Sequence, residues 1–219
     1  MSNPESFIDE VSEEVRRDRV TAALRRWGWI PVVAVVAFVA VAAYLEWQKA
    51  QNAARAQAFG NAVIAALDAE DLPARRTAIA AIEPVGQEQA AIQALLNATT
   101  LANGEDGDAA AARDVWLALA DMPELLPTYR DLALLKVILS GGTGDAARDG
   151  QILEALATPG APYRALAVEQ QALAAVRADD TATAITLLRV LSQEAGVTET
   201  LRRRAVQLIV ALGGTPEPV

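Results

Sequence analysis

Ser140-Gly141-Gly142-Thr143-Gly144 has the glycine and hydroxyl content of a phosphate-binding loop. Such a loop aims successive backbone N–H groups at a phosphate, with a lysine on its oxygens and a strand feeding a helix around it. Here the lysine is missing and the flanking residues on both sides read as helix, so a nucleotide site is not expected. Glu105, Asp106 and Asp108 gather carboxylates as a calcium site does. The ligand spacing of a calcium loop is absent, and the three residues read as a turn and a helix cap. Asn97-Ala98-Thr99 matches a glycosylation acceptor but falls inside a predicted helix. The chain contains no His and no Cys. That excludes disulfides, thiol redox chemistry, Cys or His zinc sites and every Ser-His or Cys-His dyad. No pair of carboxylates has a nucleophile or base to work with. The expectation is therefore no catalytic residue, no metal ligand, no cofactor and no small-molecule substrate: the chain is not read as an enzyme.

What remains is a surface for binding, and the elements that would carry it follow from composition. Of 219 residues, 48 are Ala, while aromatics make up 5%. Alanine is the best helix former and a poor strand residue, so the fold class expected is all-α. The formal net charge is −9. An acidic chain lacks the basic face that nucleic acid requires. Cations are 17 Arg against 2 Lys.

Trp27 to Leu45 is a run of 19 residues without a charge. As a helix it spans roughly 28 Å, close to the hydrocarbon thickness of a bilayer. Nine of its residues are Val, Ile, Phe or Leu, contributing on the order of −3 to −5 kcal/mol toward insertion. Trp27 and Trp29 stand at one end, Tyr44 and Trp47 at the other, as an aromatic belt does. Ala40-Val41-Ala42 has the form of a signal-peptidase site. The apolar run is longer than a usual signal core, however, and 26 residues precede it, so the segment is read as a retained anchor. Arg16, Arg17, Arg19, Arg25 and Arg26 lie before it, and only Lys49 and Arg55 follow closely. The positive-inside rule then puts the N-terminus in the cytoplasm. Phe7, Val11 and Val15 share one helical face in the tail, which Ser6 would cap.

Beyond the anchor one unit repeats. Asp71, Asp108, Asp145 and Asp180 are spaced by 37, 37 and 35 residues. Eight and eleven residues after each stand Ile79 and Ile82, Trp116 and Leu119, Leu153 and Leu156, Leu188 and Leu191. Each Asp is a natural N-cap for a short helix with one apolar stripe. A second helix precedes each Asp, and Pro123, Pro127, Pro159 and Pro162 break the chain between units. The expected hairpins cover about 50–84, 87–122, 127–158 and 161–195, followed by a capping helix near 198–212. This period and layout resemble the tetratricopeptide repeat (TPR). Ala112 and Ala184 supply its small residue four after the Asp; Arg75 and Asp149 depart from it.

The organisation read from the chain is then as follows. Residues 1–26 form a charged cytoplasmic tail, partly helical, and residues 27–47 a transmembrane helix. Residues 48–212 form a periplasmic TPR-like α-solenoid of about four helical hairpins plus a capping helix. Residues 213–219 form a disordered end. The first helix of each hairpin would line a groove, with Asn97, Arg130, Arg164, Glu169 and Gln170 as candidate partner-binding residues. Arg202-Arg203-Arg204 point around their helix and read as solvated surface. Tyr129 and Tyr163 read as packing residues between repeats.

The tail FIDEVSEEVRRDR, the anchor, and the stretch NGEDGDAAAARDVW together resemble the ancillary subunit family of the bacterial SecYEG translocon. The resemblance covers nearly the whole chain. It implies a single-pass, N-in protein of the bacterial inner membrane. The implied role is association with translocon subunits and periplasmic chaperones, in help of newly exported proteins. The alternative with the same topology is a TPR-like scaffold for envelope assembly or cell division.

Overall fold

The computed structural model describes residues 29–103 and 107–215. Expectations for the tail, including its helix and the Ser6 cap, and for Glu105 and Asp106, lie outside the described residues. Among the described residues there are nine helices and no strand. They are α1 Trp29–Leu67, α2 Leu72–Ala80, α3 Gln87–Ala102, α4 Ala109–Ala120, α5 Pro127–Leu139, α6 Ala146–Leu156, α7 Arg164–Arg177, α8 Thr181–Gln193 and α9 Glu199–Ala211.

The chain divides into two compact units, residues 1–58 and 59–219. The described part of the first unit belongs to α1. This helix is long and apolar enough to cross a membrane. Its large apolar side chains, Trp29, Val32, Val36, Phe38 and Val41 among them, are exposed. Tyr44 and Trp47 keep their rings 6.1 Å apart at the polar end of the apolar run. The hairpin expected over about 50–84 has no separate first helix, because α1 continues from the apolar run to Leu67. The physical reason lies in the residues: QKAQNAARAQ holds four Ala and three Gln with one Lys and one Arg, all good helix formers, and no Gly or Pro.

In the second unit consecutive helices from α2 to α9 pack on one another, and α5 also touches α3 and α7. Three apolar clusters result. One joins α3, α4 and α5 around Leu95, Ala112, Trp116 and Val137. The next joins α5, α6 and α7 around Leu135, Leu153, Leu156 and Ala167. The last joins α7, α8 and α9 around Val168, Leu188, Leu191 and Ile209. Leu134 is shared by the first pair and Leu166 by the second pair, so the core is continuous along the unit. The apolar pairs at eight and eleven after each Asp are buried except Ile82, which lies past the end of α2 and is half-buried. Tyr129 and Tyr163 pack against the first and second clusters.

All four repeating aspartates cap their helices. Asp71 accepts from the Ala74 N–H at 2.7 Å, Asp108 from Ala111 at 2.8 Å, Asp145 from Ala147 at 2.9 Å, and Asp180 from Thr183 at 3.0 Å. Of the end expected to fray, residues 213–215 are held. The Gly214 N–H donates to the Ile209 carbonyl at 2.9 Å, and the Thr215 carbonyl accepts from Arg189 at 3.1 Å.

Candidate functional site

The candidate groove residues are best placed by asking where their polar atoms go. Arg130 sits one turn into α5. Its guanidinium donates to the carbonyls of Ala120 at 3.2 Å, Met122 at 3.1 Å and Leu125 at 3.5 Å. It thereby closes the C-terminal end of α4 and the loop after it. Arg164 opens α7 and does the same for α6, donating to Ala157, while its Nε pairs with Glu194 at 2.8 Å. Arg202, one turn into α9, donates to Ser192 at the end of α8 at 2.9 Å. In the earliest unit a glutamine plays this part: Gln93 of α3 donates to Ile79 at 2.8 Å and Ile82 at 2.6 Å. Helix C-termini leave carbonyls without intrahelical donors and carry the negative end of the dipole. A cation with several donors answers both.

A second set of arginines works from the capped helices forward. Arg76 of α2 donates to Thr100 near the end of α3, and Arg113 of α4 to Gly142 beyond the end of α5, each at 3.1 Å. Arg189 of α8 reaches Thr215 beyond α9 at 3.1 Å. These contacts were not foreseen for Arg76, Arg113, Arg189 or Arg202, because the acceptors are backbone carbonyls far along the chain. The available signal was the excess of Arg over Lys. A planar guanidinium presents five donors in a fork, whereas an ammonium is a point charge.

Glu169 is buried and accepts from both Nε and Nη2 of Arg204, the latter at 2.6 Å, so α7 is tied to α9. That pairing raises the Arg204 pKa, through the hydrogen bond to Glu169 first. Arg202 and Arg204 therefore have specific partners in the fold, in contrast to the solvated surface expected of this triplet. Asn97 is half-buried on α3, and its Oδ1 is buried without a hydrogen-bond donor among the described residues. Trp116 is 3% exposed. The Lys136 ammonium lies 5.6 Å from its ring centroid, and burial lowers the Lys136 pKa. At the start of α5, burial raises the Asp131 pKa while Arg130 opposes that change.

The five candidates are thus not brought together. Arg130, Arg164 and Glu169 spend their polar atoms inside the fold. Gln170 lines a cleft. This cleft, of about 560 Å³, is bounded by Ile138 in the last turn of α5 and Gly141 and Gly142 after it, by Asp149, Gly150 and Leu153 of α6, and by Gln170, Ala174 and Arg177 of α7 with Ala178 just beyond. The Ser140–Gly144 loop forms one of its edges. Gly141 and Gly142 have φ of 108° and 82° and close α5 through N–H bonds to Ile138 and Val137. The Thr143 N–H donates to Asp149 Oδ1 at 2.8 Å and the Thr143 hydroxyl donates to the same oxygen at 2.7 Å. The loop therefore spends this donor pair on a carboxylate of the protein. Asp149, the departure from the small-residue position of the repeat, is what holds the loop.

No protein-family model matches the chain, and neither a curated protein nor a solved structure matches it.

Proposed function

We propose that this chain is a non-enzymatic, membrane-tethered TPR-like adaptor of the bacterial inner membrane. On this reading its N-terminus is cytoplasmic and the helical unit periplasmic. It associates with the Sec translocon and periplasmic chaperones and assists newly exported proteins. The observation that carries the reading is one exposed apolar helix of membrane-crossing length among the described residues, followed by helices that pack on one another in sequence order. Helical pairs in such an order suit a solenoid, in which each repeat contacts only the next. The flanking arginines support the orientation. A tether raises the effective concentration of a binding surface at the membrane, so modest affinity for passing segments suffices.

The test is purification from membranes in mild detergent with the anchor intact. Recovery of translocon subunits together with periplasmic chaperones supports the reading. Recovery of cell-division or wall-assembly proteins without them overturns it in favour of a scaffold.

A further inference from the structure

The cleft beside α6 has a cause that can be read from the repeat. Five residues after the capping aspartates stand Arg76, Arg113, Gly150 and Ile185. In the first two units this residue is a half-buried arginine that crosses to the next helix, α3 or α5, and bonds a carbonyl near or just beyond its C-terminal end. In the last unit Ile185 lies under Gly214, where an added Cβ would stand 3.0 Å from its Cδ1. Only Gly150 leaves the space open, and the cleft lies there, between α6 and the last turn of α7.

The backbone does not ask for this glycine. A Cβ at Gly150 would meet nothing within 4 Å, and Gly150 is not among the glycines of positive φ. Glycine inside a helix is unfavourable compared with any residue but proline, so neither backbone conformation nor helix stability accounts for a glycine here, and no side chain from this position enters the cleft. What lines it suits a cation. The C-terminal turn of α7 supplies the negative end of a helix dipole. Asp149 uses Oδ1 for Thr143, and its Oδ2 accepts no hydrogen bond from the described residues. Ile138 and Leu153 offer apolar surface to an aliphatic stem. Arg177, exposed in the last turn of α7, also lines the cleft and contributes one positive charge beside Asp149.

We propose that the cleft receives an arginine side chain from a partner polypeptide, taking the place that Arg76 and Arg113 fill from within. Asp149 Oδ2 and the end of α7 are its acceptors. The inference rests on the cleft alone and does not depend on which envelope machinery the chain serves.

The experiment uses the full chain in detergent micelles with ¹⁵N-labelled glycine. The probe is a capped pentapeptide, one arginine flanked by alanines. Its control carries citrulline, which keeps the shape and removes the charge. Saturable shifts of the Gly142 and Gly150 amide resonances with the arginine peptide are expected, with citrulline weaker by at least about tenfold, the worth of one charge-assisted hydrogen bond. Gly150→Arg plugs the cleft and abolishes the shifts at Gly142. Asp149→Asn retains an acceptor for Thr143 and weakens binding by a similar factor, which keeps the test intact should Gly150→Arg misfold. Equal binding of the two peptides, no shift at either glycine, or binding that survives Gly150→Arg in a folded protein overturns the proposal.

Discussion

Single residues in this chain divide by what their neighbours leave them to do. Trp116 fills the cluster between α3, α4 and α5, with the Lys136 ammonium over its ring. Truncating a buried Trp costs about 3–5 kcal/mol, a large share of the stability of an ordinary domain. Trp116→Ala should therefore lower the melting temperature of the full chain in detergent sharply; an unchanged melt would mean that the side chain does not pack as described. Two glycines eight residues apart should respond with opposite signs. A Cβ at Gly142 would stand 2.1 Å from Asp149 Oδ2, at a φ of +82°. Gly142→Ala is expected to cost about 1–3 kcal/mol. Gly150→Ala meets open space and gains helix propensity, so it should stabilise by up to about 1 kcal/mol. Denaturant titrations of the two variants check these opposite signs; a loss of stability in Gly150→Ala would contradict the open space beside that residue.

At the scale of elements, the capping aspartates were legible in the sequence because capping is local: donor and acceptor lie three residues apart or closer. The same holds for the apolar stripes, the prolines between units and the helix expected near 198–212, found at Glu199–Ala211. The carbonyl-bonding arginines were not legible. Arg113 and Gly142 are 29 residues apart, and a carbonyl carries no residue identity to recognise. Nor was the fate of the groove candidates legible, since Glu169 meets Arg204 only once α7 and α9 have docked. The continuation of α1 to Leu67 is a different case: the hydrocarbon thickness sets where the apolar run stops, not where the helix stops, and QKAQNAARAQ contains no Gly or Pro to break it.

The Asp180 cap also makes the fold sensitive to acid. Hydrogen bonds from Thr183, the side-chain contact first, hold the Asp180 carboxyl below the ordinary range. A carboxyl whose pKa is lower folded than unfolded adds stability that is present above the unfolded value, about 3.9, and is lost as pH falls through the folded value. Thermal melts of the full chain should therefore fall as pH drops below about 4. Asp180→Ala should lower the melt at neutral pH and make its decline in acid shallower. An equally steep decline in the variant would show that Asp180 does not contribute to it.

For the whole molecule, the proposal rests on an anchor and a binding unit working together. A reporter active only in the periplasm should be active when fused after Val219 and silent when fused before Trp27, and the purified protein should retain residues 1–26. A mature N-terminus near Tyr44 would instead mean that the apolar run is removed as a signal peptide.

The partner claim is tested most directly by site-specific photo-crosslinking in living cells. One crosslinker replaces Phe38, exposed on the apolar stretch of α1, and another replaces Gln170 at the cleft. Translocon subunits should be captured from the first position and exported proteins or periplasmic chaperones from the second. Capture of only division or cell-wall proteins from both positions would contradict it.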